Sequence, residues 1–284
     1  MDKPVNLDDP ESWPPELRQL ATLGARHPGC QTRFTSDLRP PEELSRAIEL
    51  ILAEHGVVVY HCTRLMESEV DDIRVNGLRA TSQELLADKV AAALQAGLLT
   101  DAQVERILTT GVLSAVDQRA ARTNEICTVA NLHTIEAVGD GLEPYLQNWG
   151  GEITYFWQQT REDLELEKTL REIGRPTLIA LHHRPSEHHR YFPELAKIVI
   201  GRWREHEDYG GEVHLRVPEN ARVPVLNLWQ PGDEGLPREA SDAIALMSGA
   251  ASLDLPDELA AEIAAQASTW NVIASGEGEV RKMR

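Results

Sequence analysis

Residues 57–78, VVVYHCTRLMESEVDDIRVNGL, carry the reading that decides the fold. Val57, Val58, Val59 and Tyr60 are the residue types that fill a pleated, buried surface, so a strand is predicted over 57–61. It does not end in turn residues. It ends in His61, Cys62, Thr63 and Arg64, which place an imidazole, a hydroxyl and a guanidinium at the strand's exit, where folds mixing helices and sheets commonly keep ligand-binding groups. A helix over 68–75 follows at once, with Val70, Ile73 and Val75 as its apolar positions and Gly77 as a left-handed C-terminal cap.

Upstream, residues to about Pro41 are rich in Pro, Asp and Arg and read as a surface wrap. Leu44, Ala47, Ile48, Ile51 and Leu52 then share one face of a helix at 42–55, which completes an N-terminal helical segment, 1–56. Downstream, 81–122 reads as a helical insertion. Thr81-x-x-Glu84 and Thr100-x-x-Gln103 are candidate capping boxes for its helices. Strand character returns at 125–131, 151–158, 177–183, 197–203, 210–217 and 223–229, interrupted by an acidic helix at 161–173, and another helix is predicted at 256–268. The expected class is α+β, within a single domain spanning 1–284.

Composition bounds the function. The chain has 284 residues and is 42% hydrophobic, enough for a sizeable core. Its formal charge of −18 disfavours extended nucleic-acid binding. No apolar run is long enough to span a membrane, and MDKPVNLDDPESWPPELR lacks the basic and apolar regions of a signal peptide, so a cytoplasmic location is expected. Cys30, Cys62 and Cys127 form no Cys-x-x-Cys pair and read as reduced thiols.

YHCTRL with the later IRVNGL resembles the first motif of the ADP-ribosyltransferase superfamily, in layout closest to the DarT-type DNA-modifying toxins and the RNA 2'-phosphotransferases. The resemblance implies a split, mostly antiparallel sheet and NAD as substrate. By it His61 would hydrogen-bond a ribose hydroxyl, Thr63 would support the nicotinamide half and Arg64 would meet a phosphate. Cys62 stands where the family usually has Gly. Tyr155 or Trp157, in GGEITYFW, would stack on the nicotinamide ring, the alternative being that these aromatics are core. Glu212 in DYGGEVHLRV would be the carboxylate that orients the ribose and stabilises charge as nicotinamide leaves, with Glu152 as competitor. Gly210 replaces the Glu or Gln of the arginine-modifying branch, which speaks against an arginine acceptor. The implied activity is NAD-dependent ADP-ribosyl transfer to a nucleobase, protein or small molecule, in a toxin or defence setting. The alternatives are an RNA 2'-phosphotransferase-like enzyme and a catalytically silent nucleotide- or partner-binding module.

Two further stretches bear on a site. His182, His183, His188 and His189 lie in LHHRPSEHHR, where Pro185 breaks the regular spacing a metal site would use. Arg184, His188, His189 and Arg190 are read instead as a solvated or basic loop beside the cleft. Arg122 with Asn124 to Cys127, in RTNEIC, would add polar groups at the cleft rim.

Overall fold

The computed structural model describes residues 3–133, 146–154, 163–186, 189–206, 208–238, 240, 241 and 244, all within the compact unit Met1–Ser248. It is a mixed α+β fold whose main sheet has six strands, with a second sheet of two.

Chain order runs α1 (Pro15–Arg26), α2 (Glu42–His55), β1 (Val57–Leu65), α3 (Glu67–Asn76) and β2 (Leu78–Arg79). The insertion supplies α4 (Gln83–Gln95), α5 (Asp101–Thr110) and α6 (Val116–Arg122). Then come β3 (Glu125–Val129), α7 (Leu164–Glu172), β4 (Arg175–His183), β5 (Arg190–Phe192), α8 (Leu195–Trp203), β6 (Glu212–Arg216), β7 (Arg222–Val223) and β8 (Val225–Trp229). The main sheet is ordered β5-β6-β3-β1-β4-β8, and its ladders are antiparallel. β2 and β7 form the small sheet.

The two central contacts are unequal. β1 pairs with β4 along its whole length, from Val57 opposite His183 to Leu65 opposite Arg175. Against β3 it registers only at Tyr60 opposite Val129, while β3 pairs with β6 from Glu125 opposite Arg216 to Val129 opposite Glu212. The sheet is therefore two halves, β5-β6-β3 and β1-β4-β8, that meet at one point and fork beyond it.

Alternation along β1 sorts its side chains to two faces. Val57, Val59 and Leu65 join the larger core with Ile48, Leu52, Ile179, Leu181, Ile198, Val213 and Leu215. Tyr60 and Cys62 face the other side with Val129, Leu178 and Ala180. The insertion packs a third cluster, in which Leu86, Val90, Ala93 and Ile107 meet Trp149, Leu166 and Leu170 of the α7 region.

Several sequence expectations are corrected. Residues 197–203 belong to helix α8, not a strand. Leu195, Ala196, Ile198, Val199, Ile200 and Gly201 are all buried, so the segment is apolar around most of its circumference and shows no helical period. At the start of the 151–158 stretch, Gly151–Ile153 is a 3₁₀ turn entered through Gly150 at φ 76°, a left-handed backbone that Gly takes without strain; residues from 155 on lie outside the described set. The cap of α4 is Ser82, whose hydroxyl accepts from the Leu85 amide, rather than Thr81, whereas the Thr100/Gln103 capping box is present as expected. Gly77 ends α3 at φ 86° and ψ 169°, a positive-φ but extended cap. The N-terminal stretch is no surface wrap: it contains α1, and Val5, Leu7 and Trp13 are buried in the core. The helix expected at 256–268 lies outside the described residues. No described helix is long and apolar enough to cross a membrane.

Candidate active site in the forked sheet

A cavity of about 290 Å³ lies at the fork. β1 contributes His61, Cys62, Thr63 and Leu65, α3 contributes Glu69 and Asp72, α4 contributes Asp88 and Lys89, and Arg122, Glu125 and Cys127 form the opposite lip.

The fork explains why a histidine stands at position 61. Where β1 and β3 part, the Cys127 carbonyl faces β1 without a ladder partner there, and a carbonyl taken from the ladder needs another donor. His61 Nδ1 lies 2.8 Å from that oxygen and donates to it. This fixes the tautomer with the proton on Nδ1 and leaves Nε2 as a lone-pair acceptor on a residue that lines the cavity. Burial holds the His61 pKa below its ordinary value; the Cys127 hydrogen bond opposes that shift, and the nearby Lys89 charge adds to it.

Thr63 also lines the cavity. Arg64 does not, which corrects the phosphate role expected for it. Its Nε donates to the Ile173 carbonyl at 3.2 Å and its Nη2 to the Gly174 carbonyl at 2.9 Å, so the guanidinium satisfies the chain leaving the C-terminus of α7. Glu212 is also absent from the cavity's lining. The Glu212 side chain is 61% exposed. Tyr155, Trp157 and the Glu152 side chain lie outside the described residues.

Sequence reading missed two groups. The first is Lys89, which interrupts the apolar stripe of α4. It is buried, paired with Glu69, and holds its Nζ 4.7 Å from the centre of the Trp149 ring. Glu69 Oε2 accepts from Trp149 Nε1 at 2.7 Å and from the Met66 amide at 2.8 Å, so one carboxylate ties α3, α4 and the Trp149 turn together. The second is His214, two residues beyond Glu212 and so on the same strand face. Its Nδ1 lies 2.8 Å from Glu125 Oε1 and its Nε2 3.4 Å from Glu212 Oε2. Only the protonated ring can donate to both. The bond to Glu212 is the main cause that raises the His214 pKa, and the same bond holds Glu212 below the usual carboxylate range.

Glu125, only 4% exposed, is the hub of the lip. Arg216, Arg190 and Arg122 approach it at 3.4, 3.7 and 3.8 Å. Arg122 Nη1 also lies 3.3 Å from Cys127 Sγ. Glu125, Cys127 and His214 bring ligand-type atoms within 4.8 Å of one another, a spacing a metal could use. Three guanidiniums around the same carboxylate oppose a cation there. Of the described histidines at 182–189, His183 Nε2 meets the Tyr191 hydroxyl at 3.0 Å and His189 meets Ser186 Oγ and the Arg216 carbonyl, so these two hold the loop and its junction with β6, whereas His182 Nε2 is buried without a hydrogen-bond partner among the described residues. His188 lies outside the described residues.

No family model matches the chain, and no curated protein or solved structure does so either.

Proposed function

We propose that the forked sheet is an NAD site and that the chain transfers ADP-ribose from NAD to an acceptor. The observation that carries the reading is His61, pinned through Nδ1 to the Cys127 carbonyl, lining the cavity where the two half-sheets part. In this reading Nε2 accepts a ribose hydroxyl and Thr63 lies beside the nicotinamide half. As the glycosidic bond breaks, its electron pair leaves with the nicotinamide nitrogen, and the ribose carbon carries positive charge until the acceptor's lone pair attacks and its proton departs to solvent or a base. Glu125 is one of four carboxylates that line the cavity among the described residues, and in this reading it fixes the sugar by accepting a ribose hydroxyl rather than by offsetting the charge, because three guanidiniums surround it.

A second reading has its own support. Glu69 is paired with Lys89, Asp72 with Arg222, Asp88 with Arg79, and Glu125 with His214 and three arginines. Every acidic side chain among the described residues lining the cavity is thus already engaged, as suits a module that binds a nucleotide without turnover.

One experiment separates them: nicotinamide release and the NAD-induced shift in thermal midpoint for wild type, His61→Ala, Glu125→Gln and Glu212→Gln, with labelled NAD in cell lysate to reveal an acceptor. Release that needs His61 and Glu125 but survives Glu212→Gln is the expected result. A shift without release establishes the binding module. Neither a shift nor release from wild type overturns both readings.

A further inference from the structure

From the lip of the cavity we infer a second binding element: Arg122, Arg190, Arg216 and His214 form a subsite for one phosphate group, carried by a ligand whose body lies in the adjoining cavity. The inference does not depend on NAD cleavage.

Four cationic or cation-prone side chains from three elements converge on Glu125. Arg122 ends α6, Arg190 opens β5, and His214 and Arg216 lie on β6. Among the described residues, the carboxylates at the cluster, Glu125 and Glu212, are fewer than the cations they face, in a chain whose formal charge is −18. Like charges held this close repel one another, so the cluster is most stable when an additional anion enters it.

The geometry says what kind of anion. The three guanidiniums approach Glu125 at 3.4–3.8 Å, too long for full charge-assisted hydrogen bonds. Each guanidinium carries five N–H donors in a planar fork. Arg190 and Arg216 are 53% and 40% exposed, so their forks are accessible from solvent. Several forks around one point match the oxygens of a phosphate, whose charge of about −2 near neutral pH offsets more of the local excess than a single carboxylate would. Arg122 and Glu125 also line the cavity, which connects the cluster to the space beneath it. The chain's overall negative field repels a long polyanion, so the subsite suits one defined phosphate rather than a tract of them.

The test is isothermal titration of the full chain with pyrophosphate, with ADP, and with a short oligonucleotide either 5'-phosphorylated or ending in a hydroxyl. We expect wild type to bind at least one phosphate-terminated ligand, with affinity falling as salt rises. Tighter ADP than oligonucleotide binding identifies a nucleotide phosphate. A preference for the phosphorylated oligonucleotide over its hydroxyl twin identifies a strand end. Both outcomes support the subsite. Arg190→Gln should weaken binding by about tenfold, and Arg190→Gln with Arg216→Gln by more. Arg190→Lys, which keeps the charge but loses the fork, should fall between wild type and Arg190→Gln. Arg190 is exposed, so its single variants report on binding without risk to the fold. The proposal fails if wild type binds none of these ligands, or if binding is unchanged in Arg190→Gln and in the double variant.

Discussion

Replacing Lys89 by Met removes the charge while keeping most of the unbranched stem. In the wild type, Lys89 is 7% exposed, pairs with Glu69 and lies over Trp149. The variant strands the Glu69 carboxylate, which is 15% exposed. Breaking a buried pair by removing one partner costs about 3–5 kcal/mol. Here Oε2 keeps its donors from Trp149 Nε1 and the Met66 amide, so only Oε1 loses its partner and the expected cost is lower, about 2–3 kcal/mol. That corresponds to a fall in thermal midpoint of about 4–12 °C for a domain of this size. Urea unfolding followed by tryptophan fluorescence measures the change. Adding Glu69→Gln removes the stranded charge, so the double variant should be more stable than Lys89→Met alone by about 1 kcal/mol. A loss below about 0.5 kcal/mol for Lys89→Met, or a double variant whose loss equals the sum of the singles, would refute the idea that Lys89 and Glu69 act as one buried unit.

Burial, then the fields of His189 and His182, pushes the His183 pKa down to about 3. The unfolded chain takes up that proton near pH 6.5, so the stability tied to a neutral His183 is present above 6.5 and is lost as pH falls toward 3. At pH 5 the loss is about 2 kcal/mol, and His183→Gln should flatten the pH dependence of urea midpoints between 7 and 5. In the other direction, an NMR titration should place His214 above the ordinary histidine value, and Glu212→Gln should lower it more than any other single carboxylate change. Burial drives the Cys62 thiol up to about 12, so iodoacetamide at pH 7.5 should modify half-buried Cys127 well before Cys62 in the native protein, as peptide mass mapping would show. Arg64→Lys should lower the thermal midpoint without weakening NAD binding, because the lost fork serves Ile173 and Gly174; an affinity loss with unchanged stability would return Arg64 to the phosphate role.

Segments with a local signature were legible in the sequence. The strand ending at His61-Cys62-Thr63-Arg64, the short helix closed at Gly77, the helix 42–55 and the Thr100 capping box each announce themselves through neighbours in the chain. α8 was not legible, because a helix buried on most faces has the same uninterrupted apolar run as a central strand. The turn at Gly151–Ile153 was missed for a different reason. Its β-prone letters sit beside glycines whose positive φ angles, 76° and 55°, break the extended path. Site residues divide in the same way. His61 and Thr63, which line the cavity, were singled out because a strand exit concentrates polar groups in sequence. Arg64 adjoins them in sequence but alternates away. Lys89 and His214 reach the cavity and its lip from segments distant in the chain, and no spacing rule links them to position 61.

The fork itself has a physical cause in the insertion. β1 continues four residues past His61, yet beyond Tyr60 and Val129 no further β3 residue registers with it. On that side Arg64 instead bridges to Trp149, and Trp149 is anchored by Glu69 and Lys89. The turn before α7 and helix α4 therefore stand where a continuous ladder would have run. Closing the sheet would bring β1 and β3 together and remove the space His61 and Thr63 now line. The helical insertion thus acts as a wedge, and its charged pair is the peg that holds the wedge in place. On this argument Lys89→Met should do more than destabilise. By loosening the Trp149 anchor it should also weaken whatever ligand the cavity takes, whereas a comparably destabilising change in the larger core, such as Ile48→Val with Ile198→Val, should leave affinity per folded molecule unaltered.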